Sequence, residues 1–451
     1  MPNRFTPDRE TLLTGDVRML TLRIAAPSLA AMLATGTGTL LDALFMASGS
    51  PDAASAVSVC FPLLAAQQAI GFTLGMGAGS HVSRSLGAGE QVNAQKAASS
   101  ALAFSLILAA SLLAAGFFFL QPLLTLLGTP QSVMPHAAVY ARFLLLAAPA
   151  ACASLVLSSL LRAQGKTPAN MRAFLSSSAA GAALGYLLVK RLGLGVWGAG
   201  VSLLARELLA LLLLTFAALR TDIPVRPSLR GVTFAPWVYP ALLRSGLPTL
   251  MRQGLSSVSS LMTSRIAAGF GPAALAGIGV AARAGALVSS AAIGFGQGFQ
   301  PICGFNYGAG RLERVREAYA FCLRVVVIAL ALIGAAFFFF GGALLRAFGT
   351  APDTAAAALF SLRAQSAAFF AQGAVIMMNM LLQSMGKTLR ATLTATSRQG
   401  IFLIPLLLIL PRFFGLTGLV LCQSIADMLA LGFSYLLTRR GAGVDKAKGK
   451  H

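Results

Sequence analysis

Apolar stretches almost free of charge recur along this chain from Val17 to Leu437. Each has the roughly 20 residues that carry a helix across about 30 Å of hydrocarbon, and no other feature narrows the fold so far. In lipid a backbone N–H or C=O finds no water, so a lone segment satisfies itself only as a helix. Charged residues make up 11% of the chain, against roughly 25% in a soluble domain. The fold class that follows is an all-α integral membrane protein. The pattern predicts twelve spans, at residues 17–46, 53–80, 97–120, 136–161, 169–189, 197–219, 238–265, 273–301, 317–341, 355–384, 391–411 and 416–438.

A net charge of +22 suits a nucleic-acid partner only if the bases gather in one patch, and here they are dealt to alternate connections. One set holds Arg84 and Lys96, then Arg162, Lys166 and Arg172, then Arg220, Arg226 and Arg230, then Arg311, Arg314 and Arg316, then Lys387 and Arg390. The other set is poorer, with Lys190, Arg191, Arg265, Arg346 and Arg412, and has no base near Gly49 or Gly128. The positive-inside rule therefore places the first set and both basic termini in the cytoplasm. Membrane lipids, not nucleic acid, are the expected partner of this charge. The first twenty residues mix acids and bases and lack the apolar core and cleavage site of a signal peptide, so no processing is expected. Five scattered cysteines (Cys60, Cys152, Cys303, Cys322, Cys422) have no metal-ligand spacing and read as buried hydrophobes.

The chain is also written twice. Shifted by 221 residues, Pro27 falls on Pro248, Pro51 on Pro272, Gly128-Thr129 on Gly349-Thr350, Arg142 on Arg363, and Gly165-Lys166-Thr167 on Gly386-Lys387-Thr388. Glu207–Leu211 matches Asp427–Leu431 at 220, and Gly71-Phe72 matches Gly294-Phe295 at 223. The repeated Gly-Lys-Thr is no phosphate loop, because the glycine required five residues earlier is Leu160 in one copy and Leu381 in the other. It reads as a cytoplasmic turn between the fourth and fifth helices of each half, glycine ending one helix and lysine facing the cytoplasm. An internal repeat in a polytopic chain points to two lobes, residues 1–225 and 226–451, joined by "RTDIPVRPSLRGVTFAP" after Leu219. Six helices is an even number, so the lobes are expected to be related by a pseudo-two-fold along the membrane normal.

At "GFGQGFQPICGFNYGAGRLERVREA", from Gly294, the chain resembles the multidrug and toxic compound extrusion (MATE) family, whose eighth helix and following loop carry a Gln-Pro and Tyr-Gly-Ala signature. "TLLDALFMASGS" from Thr39, "LLRAQGKTPANM" from Leu160, "SRQGIFLIPLLLILP" from Ser397 and "FFGLTGLVLCQSIADMLA" from Phe413 are similar to the family's first-helix Asp motif, fourth-to-fifth turn, eleventh and twelfth helices. The resemblance implies a bacterial inner-membrane antiporter, working as a monomer, that expels amphipathic, often cationic compounds in exchange for H⁺ or Na⁺. No other cofactor is implied. An enzyme is not expected, since His81, His136 and His451 lie far apart and no nucleophile pair is evident. A flippase or exporter of a lipid-linked or polyanionic metabolite is the alternative within the superfamily, and Arg142, Arg252, Arg283 and Arg363 leave it open.

Three carboxylates fall inside apolar helices, where each needs a partner, a proton or water: Asp42, Glu207 and Asp427. The resemblance makes Asp42 the coupling residue, and Pro27, fifteen residues earlier, leaves the same helix short of a backbone hydrogen bond and is its expected hinge. Glu207 and Asp427 occupy equivalent places in the two halves. Although Arg206 precedes Glu207, helical neighbours diverge by about 100°, so both acids are expected to bond a neighbouring helix. In the family's sodium-binding pattern an Asn and an Asp four residues apart on the fifth helix join the first-helix Asp. The matching positions here are Gly181 and Gly185, which offer no side-chain oxygen and favour H⁺. Candidate cavity residues are Gln67, Gln68, Met251, Gln253, Gln297, Gln300, Met377 and Asn379, since soft thioethers and amides suit an adaptable pocket. Interhelical hydrogen bonding and packing explain them equally well.

Overall fold

Asp16 opens the first long helix: its Oδ1 accepts the backbone N–H groups of Arg18 at 2.8 Å and Met19 at 3.1 Å, bonds that hold its carboxyl below the usual carboxylate range. From there the computed structural model, which describes residues 9–47, 51–347 and 352–442, is helical almost throughout, without a β-strand among the described residues.

All twelve predicted spans are helical. The first is Val17–Ala47, and the second is Pro51–Val59 and Phe61–Gly87, broken at Cys60. Gln91–Phe118, Met134–Ala163, Thr167–Gly185 and Gly195–Arg220 complete the first half. Val238–Ala268, Pro272–Gly308 and Leu312–Ala347 open the second, and Pro352–Ser366 with Phe369–Ser384 form a tenth span bent by 46°. The eleventh begins at Thr388 and ends at Gly415, whose φ of 57° and ψ of −137° interrupt the Leu403–Ala442 element and start the twelfth. Among the described residues, Phe61–Gly87 and Val238–Ala268 are less apolar than the other long helices. They carry Gln67, Gln68, Arg252, Gln253 and several serines, a composition suited to a polar interior.

The helix ends show why hydropathy stopped short at residues 80 and 301. Both helices run seven residues past the apolar stretch, to Gly87 and Gly308, and are closed by left-handed glycines, Gly89 (φ 85°) and Gly310 (φ 76°). Gly165 (φ 76°) and Gly386 (φ 74°) close the fourth and tenth spans in the same way. There Lys166 N–H donates to Leu161 O and Lys387 N–H to Leu382 O, both at 2.9 Å, the six-to-one bond of a Schellman cap. Both glycine pairs repeat at 221 residues. The lysines differ from expectation. Lys166 is buried, and only Lys387 is partly open. The cause is the 220–236 connection, which covers the first turn through Gln164, whose Oε1 accepts Val225 N–H at 2.9 Å and whose Nε2 donates to Val225 O at 3.1 Å.

That connection is fastened along its length. Gln91 Nε2 donates to Pro224 O at 2.7 Å, Gln95 Oε1 accepts Arg226 N–H at 3.1 Å, Ser99 Oγ accepts Ser228 N–H at 3.1 Å and Ser100 Oγ accepts Thr233 N–H at 3.1 Å. The four side chains lie on the helix Gln91–Phe118.

The chain divides into two compact units, Met1–Gly15 with Ala26–Gly246, and Asp16–Ala25 with Leu247–His451. Two helices change unit part-way, after Ala25 and after Gly246, positions 221 apart. Pro27 and Pro248 lie two residues beyond those points. Within the first unit, Gly71, Gly75 and Gly79 press the Phe61–Gly87 helix against Leu155 and Ser159, an approach that any Cβ would obstruct. Gly77 faces Leu242 O and Gly246. In the second unit Gly298, the mate of Gly77, lies against Ala25, the mate of Gly246. Asp42 stands in the Val17–Ala47 helix and Arg440 in the Leu403–Ala442 element, but their side chains lie outside what is described, and Gly49, Gly349-Thr350 and Arg4 lie outside the described residues altogether.

Candidate functional site: a polar cavity in the second unit

Six elements of the second unit enclose a cavity of about 440 Å³, within the size range of small-molecule sites. Its polar wall comes from Val238–Ala268, through Arg252, Gln253 and Ser259, and from the eleventh span, through Arg398 and Gln399. Leu403, Leu407 and Val420 supply an apolar side. Arg398 and Gln399 stand in a π-helical stretch, Ser397–Phe402, which widens the turn just where both side chains enter the wall.

Hydrogen bonds fix most of these groups. Arg398 Nε donates to Asp427 Oδ1 at 2.5 Å and Nη2 to Oδ2 at 3.5 Å, while Gln423 Nε2 donates to the same Oδ1 at 2.9 Å. Asp427 is buried and thereby neutralised, as a carboxylate in an apolar helix must be. Gln399 Oε1 accepts Ser259 Oγ–H at 2.8 Å, and Asn379 Nδ2 donates to Ala391 O at 2.6 Å. Arg252 differs: among the described residues its guanidinium has neither a hydrogen bond nor an ion pair. Among the described residues no acid lines the cavity, so with Arg398 matched to Asp427 the charge of Arg252 has no counter-ion there.

Of the residues singled out in the sequence, Gln253 and Asn379 line this cavity. Met251, Gln297, Gln300 and Met377 belong to the same unit but not to the wall. Gln300 Nε2 donates to Gln383 Oε1 at 3.3 Å, and Gln383 Nε2 to Thr249 Oγ1 at 3.2 Å, a relay that ties three helices together. Gln297 and Met377 are buried, the latter against Gly296. Gln67 and Gln68 lie in the first unit, Gln67 buried with its carbonyl facing Cys152 Sγ at 3.4 Å.

The first unit holds the other two intramembrane acids, of which Glu207 has a described side chain. Among the described residues Glu207 bonds not a neighbouring helix, as expected, but Arg206, with Nε–Oε1 at 3.4 Å. The flexible Arg206 stem bridges the 100° between adjacent positions by lying across Gly181, where a Cβ would fall 2.9–3.1 Å from three of its carbons. Gly181 thus accommodates an arginine stem. Arg398, Gln399 and Gln423 are not among the residues that the sequence singles out. An arginine inside an apolar helix was the available signal.

The MatE family profile matches residues 27–187 and 248–409, one match on each repeat. The multidrug export protein MepA of Staphylococcus saprophyticus is 24% identical over 404 residues, 89% of either chain. The FAD transporter of Shewanella oneidensis is 22% identical over 437 residues, 96% of this chain and 97% of that one. A crystal structure of MATE in complex with MaL6 superposes with a TM-score of 0.92 at 22% identity, covering 98% of this chain and 100% of the other. With the two profile matches together spanning well over half of its length, the chain belongs to the MatE family.

Proposed function

We propose that this protein is a multidrug efflux transporter of the bacterial inner membrane that expels amphipathic organic compounds, cations among them, in exchange for H⁺. The observation that carries the reading is the extent of the likeness: both repeats match the family, and relatives named multidrug export proteins align over 89% of the chain. Asp42 is the proposed coupling carboxylate. On taking a proton it loses its charge and gains a hydrogen-bond donor, which favours a different packing of its helix. Pro27 in that helix removes a backbone hydrogen bond and makes bending cheap. Alternate occupancy by proton and substrate then makes the exchange obligatory.

Protons over sodium are supported by Gly181 and Gly185, which bring no oxygen to the fifth span, and by the Arg206 stem beside Gly181. A hard cation requires several oxygens. The test is uptake of a fluorescent cation into inverted vesicles under separately imposed pH and sodium gradients. A pH gradient alone is expected to drive uptake, and Asp42→Asn, at equal membrane expression, to abolish it. Uptake that requires sodium and ignores pH overturns the proton reading, and normal uptake by the variant removes Asp42 from the mechanism.

A further inference from the structure

We infer that the cavity of the second unit is a binding site for the anionic head group, carboxylate or phosphate, of an amphipathic small molecule, with Arg252 as its anchor. A charged side chain within a membrane-spanning helix is costly unless something answers its charge, and Arg398 shows how this fold does so, with Asp427 at 2.5 Å. Arg252 has no such answer among the described residues, yet its helix presents it to a cavity of about 440 Å³. A guanidinium offers a planar fork of donors that matches two oxygens of a carboxylate or phosphate. Gln253 and Gln399 stand in the same wall as further amides, and Leu403, Leu407 and Val420 provide the surface for an apolar body.

The repeat supplies an internal comparison. At the 221-residue offset Arg252 corresponds to Ala31 and Arg398 to Ser177, whose hydroxyl donates to Phe174 O at 3.2 Å. The acid is kept in both halves, as Glu207 and Asp427, whereas these two bases belong to the second half alone. Helix architecture does not demand them, since the first half builds the corresponding spans without them. Arg398 is engaged by Asp427, which leaves Arg252 for a ligand.

The proposal deepens the exporter reading by naming a substrate class. It is tested at equilibrium with no ion gradient, so a negative result here and a failure of driven transport are separate outcomes. Fluorescence polarisation of two xanthene dyes, anionic fluorescein and cationic rhodamine 123, is measured on the full chain in phosphatidylcholine nanodiscs. Fluorescein is expected to bind at least about tenfold more tightly. Arg252→Gln is expected to weaken fluorescein by about tenfold or more, the scale of a lost charge-assisted fork, and to leave rhodamine 123 no weaker. Gln399→Glu keeps the acceptor for Ser259 and puts a negative charge in the wall, so it reverses the preference even if the Arg252 variant fails to insert. Phosphatidylglycerol in the discs separates two sources of the same chemistry: competition with fluorescein assigns the site to lipid head groups, and its absence to soluble amphiphiles. Equal affinity for the two dyes, or fluorescein binding unchanged in a well-inserted Arg252→Gln or Gln399→Glu, overturns the inference.

Discussion

Gly298→Ala adds a single methyl group at one of the tightest helix contacts among the described residues of the second unit. The new Cβ would lie 2.7 Å from Ala25 N and 2.8 Å from Ala25 Cβ, and closer still to Ala25 Cα. Non-bonded carbons rest about 3.5–4.0 Å apart, so with Ala25 Cα the nearest obstruction the two helices must separate by roughly 1 Å or more. The obstructing atoms are backbone and Cβ, which no rotamer change can move. Overpacking of this kind costs about 1–3 kcal/mol. Even with alanine's helix propensity, worth about 1 kcal/mol over glycine, a net loss is expected. Thermal unfolding of the detergent-solubilised protein should show a Tm lower by about 1–4 °C. Gly77→Ala, aimed at Leu242 O, should behave alike, while Gly254→Ala and Gly432→Ala, with nothing within 4 Å of the added methyl, should leave Tm unchanged or raise it. A Gly298→Ala variant as stable as the wild type would show that residues 16–25 do not pack on the eighth span as described.

Arg398→Met strands Asp427, and losing one partner of a buried pair costs about 3–5 kcal/mol. In chemical or thermal unfolding Arg398→Met/Asp427→Asn should recover most of that loss, and additive effects would refute the coupling. Leu389→Cys, 73% exposed just after the Gly-Lys-Thr turn, should react with impermeant thiol reagents only after cells are permeabilised. The five native cysteines are buried and give little background, and labelling of intact cells would invert the topology. Gly386→Ala forces a side chain into φ 74° and should lower stability by about 1–2 kcal/mol, measured by the same unfolding scans.

Spans were legible because lipid imposes one rule on every apolar stretch. The 221-residue offset was legible because Pro27 and Pro248, or Gly165 and Gly386, serve the same backbone purpose in both halves. Helix ends at Gly87 and Gly308 were not, since hydropathy reports where lipid stops and not where a helix does. The cavity was only half visible. Gln253 and Asn379 were picked as polar residues in apolar helices, but Gln297 and Gln300 satisfy the same criterion and sit elsewhere. What separates them is depth along the helix, since both continue the face that Ala286, Ser289 and Ile293 present to the cavity, and composition does not record where a cavity ends. The burial of Lys166 was invisible for another reason. It depends on Gln164 meeting Val225, 61 residues away, a contact with no counterpart among the described residues of the second half.

The connection after Leu219 has the polar, proline-bearing composition of a slack tether, but its anchorage at Gln91, Gln95, Ser99, Ser100 and Gln164 makes it a rail bolted to the first unit. A rail has no give. Under the hinge proposed at Pro27, the compliance of a transport cycle would lie inside the two helices that change unit after Ala25 and after Gly246, because the connection itself is fastened to the first unit alone. Those helices would have to flex without unravelling, as paired leaf springs. Cutting the bolts, for instance with Gln164→Leu and Ser99→Ala together, would then alter how the two halves are held during folding while leaving the stiffness of the moving part where it was.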